Sequence, residues 1–286
     1  MSLIAFLFVI LSTIMHAYWN YVLKKVQGGI LFVWLFTLMA CILYVPVIAL
    51  ILIRYPFTLT PLGIFFCTLS VLAHIFYFVF LDQAYRIGDL SIIYPVTRGV
   101  SPVFTVLFAI FFLGESLQGI QFIGIAMILM GTMTLSGLQI KNLKRSPISI
   151  GFALLCGLMV TIYTLSDKYT MSVLLISPLI LDFLNNLGRT VILTPLVIKS
   201  PHKAKHLFQN HFKEALIIAV LSPLTYVLVL FAMKTLPVSI IAPIRQLSII
   251  FSSILGINLL SESKDYAKIG GVLLTFLGVV AMCVVV

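Results

Sequence analysis

Long apolar runs broken by short polar stretches fill the chain from one end to the other. A bilayer core about 30 Å thick is crossed by roughly 20 apolar helical residues. Runs of that kind predict ten helices, at 3–23, 30–52, 62–81, 90–113, 118–137, 148–166, 174–197, 214–233, 238–260 and 268–286. Most connections are short, such as 24–29, 82–89 and 114–117, and 199–214 is the one long one. The ten-residue alternation of membrane β-strands is absent. Glycines and prolines inside the runs do not argue against helices, because membrane helices tolerate both. The opening MSLIAFLFVIL has no basic stretch ahead of its apolar run, which favours a retained first helix over a cleaved signal. The predicted fold class is an all-α polytopic membrane protein with ten transmembrane helices.

The halves echo one another. At an offset of 148 residues, Ala84, Ser91, Ile92, Ile93 and Pro95 meet Ala232, Ser239, Ile240, Ile241 and Pro243. At 147, Glu115, Ser116, Gly124 and Gly131 meet Glu262, Ser263, Gly271 and Gly278. Two repeats are therefore expected, at 1–139 and 140–286. Five spans is an odd number, so the second unit enters the membrane upside down relative to the first. Inverted repeats suit alternating access, with a site near the midplane where they meet. The paired glycines, seven apart, suit close helix packing within one chain or between two. A monomer is sufficient and a dimer stays open.

Composition agrees with lipid as the solvent. Of 286 residues, 62% are hydrophobic and 9% charged, with a mean hydropathy of +1.20. A soluble domain has about 45–50% apolar and about 25% charged residues. The 18 basic residues outnumber the 8 acidic ones, and most sit in loops. Lys24, Lys25, Arg86, Lys141, Lys144, Arg145, Lys199, Lys203, Lys205, Lys213, Lys264 and Lys268 fall on one side. Arg54, Lys168 and Lys234 fall on the other. The positive-inside rule puts the crowded side in the cytoplasm and both termini outside, in a cell inner or plasma membrane. No aromatic-laced basic face exists, so nucleic acid is not a partner. Cys41, Cys67, Cys156 and Cys283 lie in apolar stretches without metal or redox spacing and read as packing residues. No dinucleotide loop, P-loop or HExxH motif appears, so neither cofactor nor metal is expected, and ATP driving is outside this chain.

Candidate chemistry rests on polar residues inside the spans, which must face protein or water. Asp182, Asn185, Asn186 and Arg189 follow i, i+3, i+4, i+7 spacing on the seventh span. They read as a structural ion network, with Asp182 also open to proton or ion coupling. The fourth span carries Tyr94, Thr97 and Arg98 between Pro95 and Pro102, and the ninth carries Arg245 and Gln246 after Pro243. Arginine stays charged and offers five donors matched to carboxylate or phosphate oxygens. Arg98 and Arg245 are therefore substrate-contact candidates, with carbonyl capping or gating as the competing role. His16, Trp19 and Asn20 share a stripe on the first span, as do His74, Tyr77, Phe78 and Asp82 on the third. His16 and His74 are coupling candidates. Trp19, Tyr77, Tyr94, Tyr163 and Tyr226 are candidate aromatic walls.

The segments GDLSIIYPVTRGVSPVFTVLFAIFFLGESL (88–117) and LPVSIIAPIRQLSIIFSSILGINLLSESK (236–264), with glycine-rich fifth and tenth spans, resemble the EamA-type transporters of the drug/metabolite transporter superfamily. HAYWN (16–20) is similar to an HAxWN subgroup, some of whose members are associated with phosphonate utilisation. The resemblance implies that spans 1–4 and 6–9 surround a central cavity, with spans 5 and 10 at its edge. It also implies transport of small metabolites, frequently outward. Two features depart from the pattern: Ser261 stands where the first repeat has Gly114, and the first span has no acid where small multidrug relatives carry a buried glutamate. The second departure argues against export of cationic drugs.

Three functions follow. The first is a secondary transporter, an exporter, of a small polar metabolite such as an amino acid, organic anion or phosph(on)ate. Arg98, Arg245, Tyr94, Thr97, Gln246, Trp19, Asn20, Tyr77 and Tyr226 would form its site. The second is a transporter or flippase of a lipid-linked phosphate, needing a lateral opening to membrane lipid. The third is an intramembrane enzyme or scaffold, for which His16, His74 and Asp82 supply no nucleophile–base pattern.

Overall fold

A backbone in lipid must satisfy its own N–H and C=O groups, and each apolar run does so as a helix. The computed structural model describes residues 3–26, 28–54, 58–87, 90–135, 147–251 and 266–283. In order these form α1 (Leu3–Val26), α2 (Gly29–Arg54), α3 (Pro61–Ile87), α4 (Leu90–Leu113), α5 (Gly119–Leu135) and α6 (Pro147–Ser172). Then come α7 (Pro178–Ile198), α8 (Pro201–Asn210), α9 (Phe212–Met233), α10 (Val238–Ile244), α11 with described residues 247–251, and α12 (Tyr266–Cys283). Among the described residues α1, α2, α3, α6 and α9 each hold a stretch long and apolar enough to cross a bilayer. Phe111 and Phe112 are 78% and 74% exposed on the outside of α4, a face suited to lipid rather than water. The chain is an all-α, membrane-spanning protein.

Several boundaries differ from the sequence expectation. α1 and α3 run through the stretches 24–26 and 82–87, and α6 continues from 166 to Ser172. The α6 extension has a packing cause: Asp167 and Lys168 find partners on Tyr226 and on the Met233 and Leu236 carbonyls, so the helix continues through them. The connection 199–214 holds a ten-residue helix, α8, with Pro201 in its first turn and none of its residues buried. Proline is preorganised for a first turn, and basic residues beside Leu207 and Phe208 suit a helix lying on the membrane surface. The span expected at 238–260 is interrupted. Pro243 has no N–H to give, and the chain tightens through Gln246 N→Pro243 O (2.9 Å) and Ser248 N→Arg245 O (3.2 Å) before α11. The Glu262–Ser263 echo and the 139–145 part of the basic loop lie outside the described residues.

Cross-helix contacts fix the directions of packing. Trp34 donates to Thr194 at 3.0 Å and Thr190 to Thr37 at 3.2 Å, so α2 and α7 run antiparallel. The ring pairs Phe80–Phe152, His74–Tyr163 and Phe66–Tyr169 make α3 and α6 antiparallel. α4 runs parallel to α6, with Ser101 beside Gly157 and Thr105 beside Thr161. The paired glycines meet within the chain, on antiparallel α5 and α12. A Cβ on Gly131 would lie 2.7 Å from the Gly271 carbonyl oxygen, and one on Gly124 would lie 2.8 Å from that of Gly278. Cys41, Cys67 and Cys156 are buried free thiols.

The main core fills one face of the bundle. It collects the start of α1 (Ala5, Val9), the ends of α4 and α9 (Val106, Ala109, Leu230, Met233), Leu236, and α10 (Val238, Ile240, Ile241, Ile244). A second, smaller core packs the other half, where the end of α1 (Val22) meets the start of α2 (Phe32, Val33, Phe36), Leu193 of α7 and the start of α9 (Ala215, Ile218).

Candidate functional site

A cavity of about 180 Å³ opens between the helices. On α1 its wall runs from Ser12 to Leu23, and on α3 from His74 to Leu81. Both are the second halves of their helices, so the cavity lies between mid-bundle and the face where α1 and α3 end. The apolar core closes it toward the opposite face. Phe36 of α2, together with α4, α6, α7, α9 and the α10–α11 segment, completes the wall, whereas among the described residues α5 and α12 contribute nothing to it.

Most sequence candidates meet there. His16, Trp19, Asn20, His74, Tyr77, Thr97, Asp182, Arg189, Tyr226, Arg245 and Gln246 all line the cavity. Asn185 and Asn186 are buried on α7 but are not in the wall. Arg245 is half-buried in the turn that Pro243 forces. The side chains of Asp82, Tyr94 and Arg98 lie outside the described residues.

The α7 polar stripe forms a relay. Asn186 Nδ2 donates to Asp182 Oδ2 at 3.0 Å, and Asn186 Oδ1 accepts from an Arg189 guanidinium nitrogen at 3.0 Å. Arg189 Nε also donates to the Asn185 carbonyl at 3.2 Å. One amide thus bridges a buried acid and a buried base two turns apart. Two charges in a poor dielectric need such complete hydrogen bonding. The tyrosine ring of Tyr44 on α2 packs on Phe183, and its hydroxyl is a hydrogen-bond partner of Asp182.

An aromatic corner stands across from this relay. His74 stacks on Tyr163 with ring centroids 3.8 Å apart, and Tyr226 meets both rings edge-on. His74 Nδ1 lies 2.9 Å from the Ser70 carbonyl oxygen. A carbonyl only accepts, so Nδ1 carries a proton and Nε2 is the ring nitrogen left for other partners. His16 meets Trp19 edge-on at 4.8 Å, and Asn20 Nδ2 donates to the His16 carbonyl at 2.7 Å, within α1.

Sequence reasoning missed one group behind this corner. Asp167 on α6 is 0% exposed and accepts a hydrogen bond from the Tyr226 hydroxyl on its Oδ2. Ser70 on α3 and Asn185 on α7 are further side-chain hydrogen-bond partners of this carboxylate. The signal is in the sequence, since Tyr163, Asp167 and Thr170 share a helical face, but the expected span 148–166 stops before the acid and leaves Lys168 among the loop charges. Lys168 is half-buried on α6, and its ammonium donates to the Met233 carbonyl and, at 3.5 Å, to that of Leu236.

Five residues of the wall have a side-chain polar atom unpartnered among the described residues: Trp19 Nε1, Thr97 Oγ1, Thr164 Oγ1, Thr225 Oγ1 and Gln246 Oε1. Buried polar atoms are nearly always satisfied, so convergent donors and acceptors of this kind suit a polar solute or the water it displaces.

The profile of the EamA-like transporter family matches residues 3–137 and again 147–284. The chain belongs to the EamA-like transporter family. It is a protein of a membrane transporter family rather than an enzyme. No match was found among curated protein sequences. A solved crystal structure, titled only as that of a protein, superposes with a TM-score of 0.76 over 98% of each chain. At 15% identity that likeness speaks for the fold alone. Among the described residues, the cavity of this EamA-like protein is lined from every helix except α5, α8 and α12.

Proposed function

We propose that this EamA-like protein is a secondary transporter, working as an exporter, for a small polar metabolite carrying an anionic group. The observation that carries the reading is the cavity itself, whose wall holds two arginines, Arg189 and Arg245, against one carboxylate, Asp182, among hydroxyls, amides, aromatic rings and a few aliphatic side chains. Arg245 and Arg98, from the fourth and ninth spans, would hold a carboxylate or phosph(on)ate. Thr97, Gln246, Tyr94, Asn20, Tyr77, Trp19 and Tyr226 would supply the remaining polar and aromatic contacts. Arg189, tied to Asp182 through Asn186, would hold the α7 wall in place. Proton or ion coupling would fall to His16, His74 or Asp182.

Alternating access would run between units 1–139 and 140–286, inverted in the membrane. Two features support this. The family profile matches each half separately. The helices that correspond between halves, α2 with α7 and α5 with α12, lie against each other antiparallel, as an inverted repeat requires. With the crowded basic loops in the cytoplasm of a cell inner or plasma membrane, the cavity would face inward and both termini outward.

A thermal-shift panel on the purified protein tests the reading, using anionic, zwitterionic and cationic metabolites with phosphate and phosphonate esters included. Stabilisation by anionic or zwitterionic compounds, lost in Arg98→Ala and Arg245→Ala, is expected. Stabilisation by cations alone, or binding untouched by both substitutions, contradicts it. Response only to lipid-linked phosphates moves the cargo to the lipid phase.

A further inference from the structure

The core that closes the cavity on one face contains a single turn, 234–237, between α9 and α10. Two charged side chains from elsewhere in the chain hold it. Glu115, in the loop after α4, accepts from the Val238 amide on Oε1 and from the Ser239 amide on Oε2, both at 2.8 Å. Lys168 of α6 donates to the carbonyls of Met233 and Leu236 on the same turn. Each charge suits the helix end it touches: the carboxylate meets the N-terminus of α10 and the ammonium the C-terminus of α9.

Local sequence prepares the carboxylate. Gly114 has φ +65, a left-handed conformation that side-chain-bearing residues rarely adopt. The Glu115 amide then folds back to the Ala109 carbonyl at 3.3 Å, ending α4 and turning the side chain toward α10. Gly-Glu is thus a geometric unit, in which the glycine makes the bend and the acid makes the grip. Hydrogen bonds from backbone N–H to a carboxylate are among the stronger ones, roughly twice a neutral pair.

The grip reaches the cavity. α10 is seven residues long, about 10 Å at 1.5 Å per residue. Glu115 holds its first two amides, and its far end carries Arg245 and Gln246 in the cavity wall. We infer that Glu115 and Lys168 form the lock of the closed face: together they seat α10, which plugs that face and positions Arg245, and their release opens the cavity there. This rests on the transporter reading for its purpose but not for its test.

The test uses the full-length protein in lipid nanodiscs and proteoliposomes and needs no substrate. Hydrogen exchange at the Val238 and Ser239 amides is expected to run about tenfold faster or more in Glu115→Ala, from the loss of two charge-assisted bonds. Lys168→Met, acting on the same turn through its other end, is expected to do the same. Ala242→Cys, with the native cysteines replaced, is then probed with a membrane-impermeant maleimide applied to each face. In the parent it reacts only from the cavity face, and in either lock variant it reacts from both. Unchanged exchange in both variants overturns the inference. Faster exchange with labelling still confined to the cavity face also overturns it, leaving Glu115 as a helix cap only. If Glu115→Ala fails to fold, Lys168→Met alone decides by the same two readouts. Absence of any transported solute would count against the transporter reading and leave these results standing.

Discussion

The Tyr226 hydroxyl donates to the carboxylate of Asp167, a group with 0% exposure inside a membrane bundle. Tyr226 also lines the cavity, whereas Asp167 does not. The tyrosine is therefore the contact between a cavity that a solute can enter and an acid that it cannot reach.

Removing that hydroxyl leaves a buried carboxylate with one partner fewer. Tyr226→Phe is expected to cost about 1–3 kcal/mol, read as a lowered melting temperature of the detergent-solubilised protein. Asp167→Asn in the same chain should return part of the loss, since a neutral amide costs less to bury than a charge. Strictly additive losses in the double-mutant cycle would mean that the two groups are not coupled.

The amide of Asn186 faces a similar test. Asn186→Ala removes both halves of the bridge between Asp182 and Arg189. Breaking a buried pair from one side is expected to cost about 3–5 kcal/mol, more than Asn185→Ala, which removes one amide partner of Asp167. Thermal melts of the two variants side by side check the order, and equal losses would count against the relay.

The α5–α12 seam makes a steric prediction with its own control. Gly131→Ala places a methyl 2.7 Å from the Gly271 carbonyl oxygen, so the helices must separate and the melting temperature must fall. Nothing lies within 4 Å of a Cβ on Gly270, one turn-face away on α12. Gly270→Ala should be neutral or gain up to about 1 kcal/mol from the better helix former. A tolerated Gly131→Ala would remove close packing as the reason for these glycines.

Much of this was legible beforehand because lipid imposes a simple code. Spans could be placed since about 20 apolar residues have no other use, and Asp182, Asn186 and Arg189 could be grouped since helical spacing puts them on one face. Asp167 escaped because it sits beside Lys168 and Tyr169, a polar cluster that ends an apolar run on paper. In three dimensions Tyr226 and the carbonyls of Met233 and Leu236 receive those side chains, so the helix continues through them. Partners that lie 59 to 68 residues away in sequence leave no local trace. The break after Pro243 was hidden for a related reason. Proline alone does not say whether a membrane helix bends or stops, and here Pro46, Pro195 and Pro223 all sit inside continuous helices.

The side to which the cavity opens follows from where its wall lies on α1 and α3. Leu81→Cys, in a background without native cysteines, is expected to react with an impermeant maleimide applied to the cytoplasmic face of oriented vesicles. Leu236→Cys, in the packed core of the other face, is expected to stay unlabelled from both. Reaction of Leu81→Cys from outside only would reverse the orientation drawn from the basic loops.

Counterflow in proteoliposomes tests the central claim most directly. Vesicles are loaded with an anionic or zwitterionic metabolite that stabilises the protein, and entry of the labelled compound is followed from outside. The account predicts saturable exchange that Arg245→Ala abolishes while the variant still folds. Flux that never saturates, or saturable exchange that Arg245→Ala leaves unchanged, would contradict a carrier whose site is this cavity.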